Sequence, residues 1–191
     1  MRNLVLVVHV SLDGYVAGPN GELDWFPKGD ENLGLVNEII INADATLMGR
    51  VSYKLLDQYW PSAFQKSDAT KNEKDFSNWY NSISKIVVSK KINESNYQPI
   101  TIINENIVEK IDELKKSLGK DIIIFGSPSL SQMLISRDLI DSFWIFVNPI
   151  IFGKGIHLYE KIDKKIQFQL LSSTQLSNGE IALNYKLINK K

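Results

Sequence analysis

The sequence predicts an α/β protein built on a central, mostly parallel sheet, with helices on both faces and antiparallel strands at the C-terminal end. Three observations carry this expectation. Strand-like and helical patterns alternate along most of the chain, the order that produces parallel strands joined by helical crossovers. The run Ile122-Ile123-Ile124-Phe125 is apolar at every position, as in a strand buried on both faces in the middle of a sheet. Near the C-terminus, strand patterns follow one another with no convincing helix between them, and Ser177-Asn178-Gly179 supplies a hairpin turn before the last.

In chain order, strands are expected at Leu4 to Val10, Thr46 to Met48, Lys85 to Ser89, Ile100 to Ile103, Asp121 to Phe125, Ser142 to Val147, Gln167 to Ser173 and Glu180 to Leu187. Helices are expected at Asn32 to Asn42, Tyr53 to Tyr59, Ile107 to Leu118 and Ser129 to Ser136, where apolar residues recur at spacings of three and four, as in Ile107, Ile111, Leu114 and Leu118. Pro61 to Asn78 is polar and charged, which predicts a mobile surface segment. No repeat or linker divides the chain, so residues 1–191 are expected to form a single domain.

Composition narrows the function. With 43% hydrophobic residues in 191, the chain can bury a full core without metals or crosslinks. It has no cysteine, which excludes a disulfide scaffold and thiol catalysis, and its two histidines, His9 and His157, are far apart, so no zinc site is expected. The 22 basic and 22 acidic residues balance, leaving no global positive field to gather nucleic acid. The apolar stretch Leu4 to Val10 is too short for a membrane span or a secretory signal, so a cytoplasmic protein with no membrane partner is expected.

Three strand ends carry anion-binding chemistry. The strand ending at Phe125 runs into Gly126-Ser127-Pro128-Ser129-Leu130, a glycine turn opening a helix whose first N–H groups would face an anion; such a turn also occurs for geometry alone. Leu47-Met48-Gly49-Arg50-Val51-Ser52-Tyr53 repeats that pattern, with Arg50 able to fork onto phosphate oxygens and Ser52 to add a hydroxyl. Ile86-Val87-Val88-Ser89-Lys90-Lys91 ends a third strand in a hydroxyl and two cations. Ligands of open α/β sheets bind at the carboxyl ends of strands, and a ligand with two separated phosphate groups would use all three.

These segments, together with Ser11-Leu12-Asp13-Gly14-Tyr15-Val16-Ala17, Leu139-Ile140-Asp141 and Asn148-Pro149-Ile150-Ile151-Phe152-Gly153-Lys154-Gly155, make the chain resemble the dihydrofolate reductase fold. The resemblance is closer to the C-terminal reductase domain of the bifunctional riboflavin-biosynthesis deaminase-reductase, and it covers nearly the whole chain. It implies a three-layer dihydrofolate reductase-like fold and an NADPH-dependent reductase that passes a hydride to a small heterocyclic substrate, similar to 5-amino-6-(5-phosphoribosylamino)uracil reductase. A true dihydrofolate reductase and a non-catalytic nucleotide-binding protein that keeps the fold are the alternatives.

By the same resemblance, Arg50, Ser89 and Lys90 would hold the adenosine 2′-phosphate of NADPH. Ser52, beside Gly49, and the turn Gly126-Ser127 with Ser129 and Leu130 would hold the pyrophosphate, and main-chain groups of His9 and Val16 the nicotinamide carboxamide. Gly14 would let the loop after the first strand close over the reacting ring. Dihydrofolate reductases have two glycines, joined by a cis peptide, where this chain has Gly126-Ser127.

Dihydrofolate reductases also carry an acid on the first helix, and its nearest equivalent here is Asp30. That residue reads either as the catalytic acid or as a first-turn helix residue. Trp25, Phe26, Tyr53 and Trp60 either line a substrate pocket or belong to the core. Phe143, Trp144, Ile145, Phe146 and Val147 form a strand with no helix following to cover it, which predicts a homodimer.

Overall fold

The computed structural model describes residues 1–25, 29–92, 100–160 and 162–188. In chain order the elements are β1 Leu4–Ser11, β2 Tyr15–Ala17, α1 Asp30–Ile40, β3 Ala43–Gly49, α2 Arg50–Ala63, α3 Lys71–Ser82, β4 Ser84–Val88 and β5 Ile100–Ile103. They continue with α4 Ile107–Lys116, β6 Asp121–Phe125, α5 Pro128–Ser136, β7 Ser142–Asn148, β8 Ile156–His157, β9 Phe168–Gln175 and β10 Ile181–Leu187. The chain divides into two compact units, one formed by Met1–Arg2 with Gly29–Phe125, the other by Asn3–Lys28 with Gly126–Lys191.

In the first unit four parallel strands lie in the order β5-β4-β3-β6. Their apolar content explains the arrangement. Ile122, Ile123 and Ile124 of β6 and Leu47 and Met48 of β3 are at most 1% exposed, so both faces of these strands are covered, as the uninterrupted apolar run requires. α1 turns Val36 and Ile40 inward at a spacing of four, and α4 does the same with Ile111 and Lys115. α4 stops at Ser117, whose amide bonds back to Glu113 and Leu114, and Leu118, expected inside the helix, is fully exposed.

The segment expected to be a mobile surface stretch is instead structured. Pro61 lies in the last turn of α2, and Lys71–Ser82 forms α3, started by a capping box in which Thr70 accepts from the Glu73 amide while the Glu73 carboxylate accepts from the Thr70 amide. Phe76, Ser77 and Tyr80 supply the buried stripe. Phe76 packs on Trp60 and Phe125 at 4.3 and 5.6 Å between ring centroids, and the Ser77 hydroxyl donates to the Trp60 carbonyl. The polar character of the stretch was that of one solvated helix face, with three inward residues enough to anchor it.

In the second unit β1 and β7 are parallel, and β10 and β9 add antiparallel strands in the order β1-β7-β10-β9, with the turn at Ser177-Asn178-Gly179 joining the last two. The mostly parallel arrangement with antiparallel C-terminal strands is thus as expected. A short pair, β2 with β8, had no signal in the sequence. β7 is not an edge strand, because β1 and β10 take both of its sides and Phe143 and Phe146 are at most 1% exposed. The exposed edge is β9, where Leu170 and Leu171 are each about half exposed, at 48% and 49%.

Candidate functional site

In the first unit, the register sets Gly49 of β3 beside Val88 of β4, so Arg50 and Ser52 at the start of α2 stand next to Ser89 and Lys90 just past the end of β4. Two phosphate-binding signals read separately in the sequence therefore meet at one carboxyl edge. The Ser89 hydroxyl accepts from the amides of Lys91 and Ile92, which bends the chain at the strand end and leaves its own proton to donate. Lys90 is exposed, and Arg50 and Ser52 are partly so.

Tyr53 is buried in the core of its unit. It is 6% exposed, packs with Met48 and Val87, and donates its hydroxyl to Asp57 at 3.1 Å. Tyr80 also approaches Asp57, and Lys85 lies over the Tyr80 ring at 4.5 Å, where burial pushes its ammonium pKa down against the pull of Asp57. Trp60, likewise weighed as a pocket residue, packs on Phe76. Phe26 lies outside the described residues.

Asp30 opens α1, and both of its carboxylate oxygens are engaged at the start of α3, Oδ1 by the Thr70 hydroxyl at 2.5 Å and Oδ2 by the Asn72 amide at 2.8 Å. This geometry ties two helix starts together. In Asp30→Asn the new side-chain amide would face the Asn72 amide, so one hydrogen bond is lost. We expect a stability loss of about 1 kcal/mol in urea unfolding with turnover unchanged. A fall in turnover at unchanged stability would restore the proton-donor role.

The second unit resumes at the turn before α5, whose Gly126 and Ser127 both have positive φ, +54° and +55°, and the peptide between them is trans. A left-handed serine costs about 1 kcal/mol, so this turn is held by its surroundings. The Gly126 amide donates to the Val7 carbonyl, the Ser131 hydroxyl donates to the Gly126 carbonyl, and Pro128 sits at the helix start where no N–H is required. A Cβ added at Gly126 would meet no atom within 4 Å, so the turn faces open space, and the amides of Ser129 and Leu130 belong to the first turn of α5, where they have no partner within the helix. Leu130 itself is buried and contributes main chain only.

The loop after β1 is fixed by Asp13. Its Oδ1 accepts from the Ser11 hydroxyl at 2.7 Å and the Phe152 amide at 3.1 Å, and its Oδ2 from the Gly153 amide at 2.7 Å. Desolvation pushes the Asp13 carboxyl up, but the Ser11 hydroxyl and the amides of Gly153 and Phe152 outweigh it and hold the pKa below the ordinary carboxylate range. Gly14 has φ +83°, and a Cβ there would come within 3.0 Å of the His157 ring. Val16 lies buried in β2, and Trp25 packs edge-on against Phe152 at 5.1 Å.

His9, near the carboxyl end of β1, places its ring on Phe146 and its Nδ1 2.9 Å from a carboxylate oxygen of Glu180. Sequence reasoning did not find this pair. Glu180 directly follows a hairpin turn, where an acid is usually solvated, and only the β7–β10 pairing brings it to His9.

Comparison with known proteins fits this arrangement. Residues 2–182 match the family model of the RibD C-terminal domain. The chain belongs to that family. It is therefore a reductase-family protein related to riboflavin biosynthesis, and the RibD family acts on small heterocyclic substrates. The uncharacterized protein YyaP of Bacillus subtilis is 33% identical over 184 residues, covering 96% of this chain and 94% of that one.

Solved structures show the shared fold. A pyrimidine reductase-like protein from Corynebacterium diphtheriae superposes with a TM-score of 0.70 at 15% identity, over 99% of this chain and 93% of that one. The diaminohydroxyphosphoribosylaminopyrimidine deaminase/5-amino-6-(5-phosphoribosylamino)uracil reductase of Thermotoga maritima gives 0.67 at 18% identity, over 97% of this chain and 56% of that longer one. Dihydrofolate reductase from Enterococcus faecalis, complexed with NADP(H), gives 0.66 at 14% identity, over 98% and 97%. The RibD-type chain thus has a dihydrofolate reductase-like fold.

Proposed function

We propose that this RibD-type protein is an NADPH-dependent reductase acting on a small heterocyclic substrate of the ribosylaminouracil class. The observation that carries the reading is the pairing of Arg50 with Ser89 and Lys90 at adjacent strand ends, a cationic and hydroxyl set suited to the 2′-phosphate that distinguishes NADPH from NADH. The residues fit the cofactor. By the resemblance, Ser52 of the first unit is suited to the pyrophosphate; in the second unit, taken by itself, the open Gly126-Ser127 turn with the amides of Ser129 and Leu130 is suited to the same group, and main-chain groups of His9 and Val16 to the carboxamide. Bound there, the cofactor supplies a hydride.

The direct test mixes the protein with NADPH and 5-amino-6-(5-phosphoribosylamino)uracil and follows loss of the reduced-nicotinamide absorbance, with the reduced product checked by mass spectrometry. Oxidation of NADPH that depends on the uracil is expected; no oxidation would remove the reading. Among the described residues no helix is long and apolar enough to cross a membrane, and the balanced charge supports a cytoplasmic enzyme with no nucleic-acid partner.

The protein pairs as a homodimer in this reading, through the β9 edge rather than through β7. Leu170 and Leu171 are 48% and 49% exposed there, and an unpaired apolar edge invites a second copy. Sedimentation at micromolar concentration is expected to give a dimer, and a species of 21.7 kDa would remove it.

A further inference from the structure

The second unit holds a buried acid–imidazole pair that the phosphate-binding residues leave unused. Side chains alternate along a strand, so His9 shares a face with Ser11 and, through the parallel register, with Phe146 and Asn148 of β7. The imidazole stacks on Phe146, with centroids 4.5 Å apart and planes at 19°. Ile181 pairs with Val147 in antiparallel register, so Glu180, one residue earlier, comes level with Asn148 at the carboxyl end of β7. The pair therefore sits at the sheet edge where open α/β proteins take their ligands.

Glu180 is fully buried. A carboxylate withdrawn from water must be hydrogen-bonded, and here His9 Nδ1 meets Oε1 at 2.9 Å while the Asn178 amide donates to Oε2 at 2.7 Å. A carboxylate on Nδ1 holds a proton there and directs Nε2 away from itself. The His9 side chain keeps 11% exposure, so the ring is not sealed off as Glu180 is. Asp30, by contrast, has both oxygens engaged by Thr70 and Asn72.

We propose that His9, oriented by Glu180, delivers the proton that accompanies hydride transfer in this reductase. The proposal rests on the NADPH-dependent reading above. When the substrate's ribose ring opens, the C1′–O bond breaks, the amino N–H proton goes to that oxygen and a C1′=N bond forms; hydride from the cofactor adds to C1′, and the π electron pair moves to nitrogen. Nitrogen then takes the proton from His9 Nε2, so that C=N becomes CH–NH. The imidazole, left neutral, takes its next proton from water. His9 is the catalytic residue in this step and Glu180 a positioning residue.

With two histidines in the chain, the imidazole signals of His9 and His157 can be assigned by NMR from one variant of each. Saturating NADPH is expected to shift the His9 signals, which should report the Nδ1–H tautomer in the neutral ring. His9→Gln should bind NADPH within about twofold of wild type by calorimetry, yet reduce 5-amino-6-(5-phosphoribosylamino)uracil about 10²–10⁴ times more slowly. Glu180→Gln should change the tautomer that the neutral His9 ring reports, because the carboxylate that holds the Nδ1 proton is gone. Wild-type turnover in His9→Gln, or His9 signals unmoved by saturating NADPH, would overturn the proposal alone. A wild-type protein that neither binds NADPH nor reduces the uracil would remove the reductase reading and the proposal together, before any variant is made.

Discussion

Ile123→Ala is expected to lower the free energy of unfolding by about 2–5 kcal/mol. Ile123 is 0% exposed in β6, paired with Thr46 of β3 and flanked by Ile122 and Ile124, which are equally shut off from water. Truncation removes the transfer energy of three carbons and leaves a cavity that a central strand cannot close, because its neighbours are held in register on the sheet. Urea unfolding would show this as a lower midpoint with little change in slope. A loss under about 1 kcal/mol would mean that the strand relaxes into the space and is not the rigid centre of its unit.

Arg50→Ala carries the largest expected effect on binding. A charge-assisted hydrogen bond to phosphate is worth about 1.5–3 kcal/mol, so NADPH should bind about 10–150 times more weakly while NADH changes little. Arg50 is exposed enough to meet a ligand, and it opens α2, where the helix N-terminus adds to the attraction for phosphate. Equal weakening for both nucleotides would mean that Arg50 serves the pyrophosphate or the helix and not the 2′-phosphate.

What could be read from the sequence follows from how local the cause is. β6 and the turn after it were legible because four adjacent apolar residues and a glycine state their own burial and bend. The juxtaposition of Arg50 with Ser89 was legible only by resemblance, since the β3–β4 register that sets it is a property of the sheet. α3 was missed although Thr70 and Glu73 stand at capping-box spacing, because Phe76, Ser77 and Tyr80 are few among charged neighbours.

The burial of Tyr53 was one of two readings left open, and its hydroxyl settles in the core on Asp57. β7 looked like an uncovered strand because the residues that flank it, in β1 and β10, are distant in sequence. Glu180 gave no signal at all. Its burial depends on Asn178 turning back to it and on His9, 171 residues away, arriving from another strand.

The central claim is that this chain is a RibD-type reductase built for NADPH, and calorimetric titration of the wild-type protein with NADPH, NADH and a flavin nucleotide tests it most directly. The account predicts one saturable site for NADPH, binding about tenfold or more tighter than NADH in line with one charge-assisted contact to the 2′-phosphate, and no competition from the flavin. Equal affinity for NADPH and NADH, or preferential binding of the flavin, would contradict it.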